Sequence, residues 1–220
     1  MKKLLILLLS TLTTTVFGQV EMKQNPSDFL PKGYEIFEKI NGDLNKDSIT
    51  DCVLIIKGTN EDSVVINQFD EKVDLNRRGI IVLFNKEDHY ELALKNYDCF
   101  SSENEDGDFY LPPELSIEIK KGNLYVHYAH GKYGYWQYNF RYQKSDFELI
   151  GYDESNGGAV IDDETCINFL SKKKQIKFNT NENAEGGDEV FKESWEKIKV
   201  KRLIKLSEIK DFDKLDMSVY

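Results

Sequence analysis

The chain has 220 residues, with 39 Asp and Glu against 29 Lys and Arg and a formal net charge of −10. At 40% hydrophobic and 12% aromatic residues it is too apolar for intrinsic disorder. The acidic balance disfavours nucleic acid and anionic membrane surfaces as partners, because both would repel it.

The first 18 residues carry only Lys2 and Lys3 as charges, followed by an apolar run over 4–9 and a stretch ending Thr15-Val16-Phe17-Gly18. Charge, apolar segment, then small residues is the order of a secretory signal peptide. The run is too short to span ~30 Å of hydrocarbon as a helix, and polar Thr residues follow it at once. The expectation is export to the periplasm or the cell exterior, with cleavage near Gly18. The mature chain then begins at Gln19 and has 202 residues with a net charge of −12. That length suffices for one domain with a buried core, and the mature sequence holds no second apolar span.

Residues 19–32 are polar, with one helical turn expected from Ser27 to Pro31. From Gly33 onward the pattern has period two, and helical periodicity is scarce. Residues 34–40 alternate as a strand. Residues 52–57 (CVLIIK) and 79–84 (GIIVLF) are continuous apolar runs of strand length, which predicts burial on both faces for the first. A turn at 85–88 leads into a strand at 90–94. Between 115 and 153 four strands are predicted, at 115–120, 124–129, 135–142 and 147–152. Turns at 121–123, 130–134 and 144–146 join them as an antiparallel meander.

Two more strands are expected at 166–170 and 175–178. The acidic segments 101–108 and 153–164 read as loops, as does the Asn-, Glu- and Gly-rich segment 179–188. The tail from Glu189 reads as strand then helix. The predicted fold is all-β, one domain over 19–220, built of antiparallel meanders arranged as a propeller or a sandwich. Short helical pieces are expected at the N-terminus and the C-terminus. Of the three cysteines, Cys52 reads as a buried apolar residue; Cys99 and Cys166, both near loops, are the pair chosen if an oxidising compartment forms a disulfide.

One loop has specific chemistry. Asp43, Asn45, Asp47 and Asp51 place oxygen donors at positions 1, 3, 5 and 9, and the Ile49 carbonyl at position 7 completes the set. Ca²⁺ takes six to eight oxygens from such a tightly wound loop, whereas Mg²⁺ demands a smaller, stricter octahedron. An EF-hand would need Glu at position 12, where Leu54 stands. A loop closed by Asp51 and running straight into CVLIIK instead resembles the FG-GAP/VCBS calcium repeat of integrin-α-like propellers. The resemblance covers residues 40–57 and implies that these residues hold Ca²⁺. The family has Gly at position 6, where the chain turns sharply; here Ser48 must take a positive φ, at a cost on the order of 1 kcal/mol. Propeller blades use ~40–50 residues each and repeat, and no second copy of the loop occurs.

Around the aromatic hairpin, Trp136, Tyr138, Phe140 and Tyr142 share one face of a strand, while Tyr135, Gln137, Asn139 and Arg141 share the other. With the Trp136 row in the core, the second face is wet. The candidate ligand surface is therefore His130, Tyr133, Tyr135, Gln137, Asn139 and Arg141. His127 and His130 lie at odd separation on a strand, so they face opposite sides and joint metal chelation is disfavoured. Asp106, Asp108, Asp162, Asp163 and Glu164 supply carboxylates of the kind glycosidases pair, but no GxSxG, HExxH or P-loop is present. The expected function is a secreted, calcium-stabilised, non-catalytic β domain that binds a protein or glycan. The alternatives are a periplasmic carbohydrate-directed hydrolase and an acidic inhibitor or immunity-type protein that docks on a basic enzyme.

Overall fold

A computed structural model describes residues 20–67, 69–104, 114–129 and 131–220. The expected signal segment, His130, Asp106 and Asp108 lie outside the described residues.

The N-terminal half supplies β1 (Met22–Lys23), β2 (Tyr34–Gly42) and β3 (Asp51–Gly58), a small hairpin of β4 (Val64–Ile66) and β5 (Lys72–Asp74), then β6 (Arg78–Asn85) and β7 (Tyr90–Phe100). The rest supplies β8 (Glu114–Lys120), β9 (Asn123–Ala129), β10 (Gly134–Gln143), β11 (Asp146–Gly157), β12 (Ile161–Asn168), β13 (Lys173–Asn179) and β14 (Phe191–Lys197). The first sheet is five-stranded in the order β1-β7-β6-β3-β2; the second is a seven-stranded meander from β8 to β14 in sequence order. All pairings are antiparallel. The all-β expectation holds, and the helical pieces are only short 3₁₀ turns, at Pro26–Phe29 near the N-terminus and at Leu206–Glu208 and Phe212–Lys214 near the C-terminus.

The two large sheets share one apolar core, which is the arrangement of a sandwich rather than of radial blades. Val53 and Ile55 of β3 and Val82 and Phe84 of β6 belong to the same buried cluster as Val126, Phe140 and Leu149 of the second sheet. Phe84 meets Tyr142 edge-on with centroids 4.7 Å apart. On β3 the intervening residues Cys52, Leu54 and Ile56 turn to the other side, where they cluster with Ile81 and Leu83 of β6 and with Phe29. Burial on both faces is why residues 52–57 read as an unbroken apolar run. On β10 the aromatic row packs inward as predicted: Tyr138 and Phe140 are buried, and Trp136 and Tyr142 lie against the core.

The C-terminal segment plugs this core. Phe212 stacks on Phe100 at 5.0 Å and meets Tyr138 edge-on at 5.0 Å, while the Asn96 side-chain amide donates to the carbonyls of Leu206 and Ile209. Burying Leu206, Ile209, Phe212 and Met217 anchors a tail that has little regular structure of its own. A second tie is polar: the Lys57 ammonium, buried at the end of β3, pairs with Asp74 and Glu103. The three cysteines are free, so the Cys99–Cys166 bridge does not form. Cys99 is buried in the core and Cys166 stands exposed on β12.

The other correction bears on the site. Segment 153–164 is not a loop: β11 runs on to Gly157 and β12 starts at Ile161, leaving only a tight turn between them. β12 and β13 are largely half-buried and β14 is exposed along most of its length, so these strands need little apolar alternation and their polar sequence conceals them.

Candidate functional site

The loop at 43–51 closes the β2–β3 hairpin, in which Gly42 pairs with Asp51. Its side chains are bent onto its own backbone. Asp43 accepts from the N–H of Lys46 at 2.6 Å and of Ser48 at 3.0 Å. Asn45 Oδ1 accepts from the N–H of Asp47, and Asp47 Oδ1 from the N–H of Ile49, both at 2.9 Å. Asp51 is fully buried and bridges two segments, accepting from Leu44 N–H at 2.8 Å and from Asn85 N–H at 3.0 Å. Ser48 has φ of 70°, the left-handed turn expected at position 6, and Lys46 has φ of 65°.

The electrostatics follow from burial. Burial pushes the Asp51 carboxyl up, against the two N–H groups that stabilise its anion. Asp47 is held below the usual carboxylate range, first by the Ile49 N–H, with Asn45 and Lys86 adding to it. The Lys86 ammonium lies 3.6 Å from Asp47 Oδ2.

Calcium is the ion that the loop's resemblance implies. The donors suit it in kind; among the described residues no three His, Cys, Asp or Glu side chains are grouped so as to hold a metal ion without the Asn45 amide and the Ile49 carbonyl. Each oxygen of Asp43 and of Asp51 accepts one N–H group, which leaves it a second lone pair. As arranged, the loop is closed by its own hydrogen bonds.

A different place has room for a ligand. A cleft of about 640 Å³ opens where β10 begins beside the β11–β12 turn, lined by Tyr133, Tyr135, Trp136, Asn156, Gly157 and Asp162 among others. A 3₁₀ turn at Gly131–Tyr133 carries Tyr133 to the rim, where it is 45% exposed. Gly134 lets the chain enter β10 there: its φ is 104°, and a Cβ would stand 1.9 Å from the Ser155 carbonyl oxygen. Asn156 is oriented by its amide donating to Asp163 at 3.0 Å and to Glu154 at 3.2 Å. Asp162 is exposed on the opposite wall.

Tyr135 also lines a smaller neighbouring cleft of about 250 Å³ with Asp153, Glu164, Cys166 and Lys177. Lys177 is paired there with Glu164 at 3.0 Å. Partial burial of the thiol and its hydrogen bond with Asp153 push the Cys166 pKa up to about 12.

The structure thus brings Tyr133 and Tyr135 of the expected ligand surface into one cleft. Gln137, Asn139 and Arg141 share the outer face of the sheet with Tyr135 but do not line that cleft. Asn139 donates to the Tyr125 hydroxyl at 3.1 Å and Arg141 to Asn123 at 3.2 Å, so both serve the sheet itself. His127 lies on this outer face with its ring 5.1 Å from that of Tyr135. Asn156 and Gly157 were missed as site residues, although Asn156-Gly157-Gly158 is a strong turn signal; Asp162 was read only as one of several acidic residues that glycosidases could pair. Trp136 serves two roles, packing on the core and lining the cleft. No protein-family model, curated protein or solved structure matches the chain.

Proposed function

We propose that the chain is an exported, non-catalytic β-sandwich domain that binds a glycan in the Tyr133–Trp136–Asp162 cleft. One observation carries this reading: three aromatic residues, an Asn and an Asp line a single open cleft of about 640 Å³. A sugar ring offers an apolar C–H face and a rim of hydroxyls. Tyr and Trp supply flat apolar surface with a polar edge, and Asn and Asp bond hydroxyls in the plane of the ring. The volume lies within the ~300–1,000 Å³ typical of small-molecule sites. In this reading the 43–51 loop stabilises the fold through its hydrogen bonds and needs no calcium.

Retardation in polyacrylamide gels cast with soluble polysaccharides tests the proposal. At least one polysaccharide should slow the protein, and Tyr133→Ala should abolish the retardation without lowering Tm. No retardation by any glycan of a broad panel overturns the binding reading, and cleavage of the retarding glycan replaces it with the hydrolase alternative. Export is tested by N-terminal sequencing of the protein from the producing cells, which should begin at Gln19.

A further inference from the structure

The four edges of the two large sheets are not alike. β1 has two residues, β2 is bulged between Ile36 and Glu38, and on β8 the charges of Glu118 and Lys120 pair with each other. β14 differs from them: its seven residues pair with β13 in an unbroken register, include no Pro, and are exposed from Lys192 to Lys197. Trp195 is 62% exposed on this edge, and Phe178 and Val190 beside it are exposed as well.

The backbone of this edge has a defined direction. The Val190 carbonyl accepts from Thr180 N–H, and Ile198 N–H donates to the Lys172 carbonyl. In the continuous register between these bonds, the even-numbered residues of β14 turn their backbone groups toward β13. Phe191, Glu193, Trp195 and Lys197 turn theirs outward, past the last strand of the sheet. The strand carries two Lys and two Glu, so it is locally neutral on an acidic chain. The side chains of Lys192, Glu196 and Lys197 make no hydrogen bond or ion pair among the described residues. Lysines on an edge deter a second strand, unless that strand sets a carboxylate opposite them.

We propose that β14 pairs with β14 of a second copy of this chain, antiparallel about a two-fold axis at Ser194, and so joins the two seven-stranded sheets into one. This register overlaps the whole strand. The outward residues then meet as Phe191 with Lys197 and Glu193 with Trp195, each pair exchanging two backbone hydrogen bonds. Between them Lys192 of each copy lies opposite Glu196 of the other, so the strand is complementary in charge to itself. The Lys197 ammonium gains the face of the opposite Phe191 ring, and Trp195 becomes the diagonal neighbour of its own counterpart. A contact of one strand per copy is small beside the ~1,200 Å² of a standard interface, which sets the dissociation constant on the order of 0.1 mM.

Sedimentation equilibrium of the chain from Gln19 onward, between ~1 μM and ~1 mM, reads the association, and the average mass should rise toward twice that of one chain. Glu196→Lys sets a lysine against Lys192 at both symmetry-related positions and should raise the dissociation constant about ten-fold or more. The dilute monomer should keep the parent circular dichroism, and adding Lys192→Glu should restore the association. Across the axis, residues in a non-hydrogen-bonded pair stand ~4.5 Å apart at Cα, within reach of a disulfide. In a Cys166→Ser background, Ser194→Cys should therefore yield a covalent dimer on mild oxidation, and Glu196→Cys should not. The mass of a single chain at every concentration overturns the proposal and leaves the edge to a strand of another protein. A dimer that Glu196→Lys leaves intact and Ser194→Cys does not cross-link lies on another surface and overturns it too. Failure of Lys192→Glu to rescue Glu196→Lys overturns the register.

Discussion

Residues 43–51 join β2 to β3 and hold three Asp, one Asn and one Ser, whereas residues 155–162 span the β11–β12 turn and hold one of each. In the first, every carboxylate accepts N–H groups of the chain itself, and Asp51 does so from full burial. In the second, Asn156 is held by its neighbours while Asp162 stands exposed beside three aromatic rings. The difference lies in whether backbone donors are within reach. A tightly coiled loop aims its N–H groups inward and consumes its own acceptors, whereas a strand commits its N–H groups to the ladder and leaves side chains for a ligand. Acidic spacing alone therefore does not separate a structural clip from a site.

The largest effect that would sharpen this comparison is on stability. Asp51→Ala leaves the N–H groups of Leu44 and Asn85 without acceptors and should cost about 3 kcal/mol in denaturant unfolding. Asp51→Asn keeps one acceptor oxygen and should recover about half of it, and neither change should alter glycan binding. A loss in Asp51→Ala no greater than that of a surface substitution would break the comparison from the loop's side. Next comes Tyr133→Ala, which should weaken glycan binding about ten-fold or more, the scale of one lost aromatic platform, with Tm unchanged.

A smaller effect is in the pH dependence. Asp47 has a depressed folded-state pKa, so the stability it contributes is present at neutral pH and is lost as the pH falls through that value, below about 4. Asp51, whose pKa is raised, acts in the opposite sense: neutralising it on acidification relieves the cost of burying its charge. Thermal melts should show a shallower fall in Tm below pH 4 in Asp47→Ala than in the parent. Smallest of all is calcium. If the loop is held by its own hydrogen bonds alone, the Tm should move by less than about 1 °C between EDTA and ~1 mM Ca²⁺. A calcium-specific rise equivalent to about 2.7 kcal/mol, as expected for a site of ~10 μM affinity, would restore the loop as a metal clip.

Much of the fold was legible where one face of a strand is buried. The alternation on β10 put Tyr138 and Phe140 inside, the unbroken run CVLIIK marked burial on both faces, and the turns at Lys121-Gly122 and Lys144-Ser145 take the left-handed conformations that hairpins need. The legibility ended where burial ended. β12 and β13 are largely half-buried and β14 is exposed along most of its length, so Asp153 to Glu164 read as an acidic loop and its part in the cleft went unseen. The tail holding Phe212 lacks any period, because isolated residues rather than a continuous face enter the core. Of the site, the Tyr133–Tyr135 end could be read, since aromatic residues beside a Gly-bearing turn are local. The opposite wall could not, because it depends on the register that sets Ser155 against Tyr135.

The most direct measurement is a ¹H–¹⁵N correlation spectrum of the protein titrated with the polysaccharide that retards it in the gel assay. The account predicts that shifted amides cluster at 133–136 and 155–162, while those of 43–51 stay in place. Unmoved amides at 133–136 and 155–162, or a cluster of shifts in the 43–51 loop instead, would contradict it.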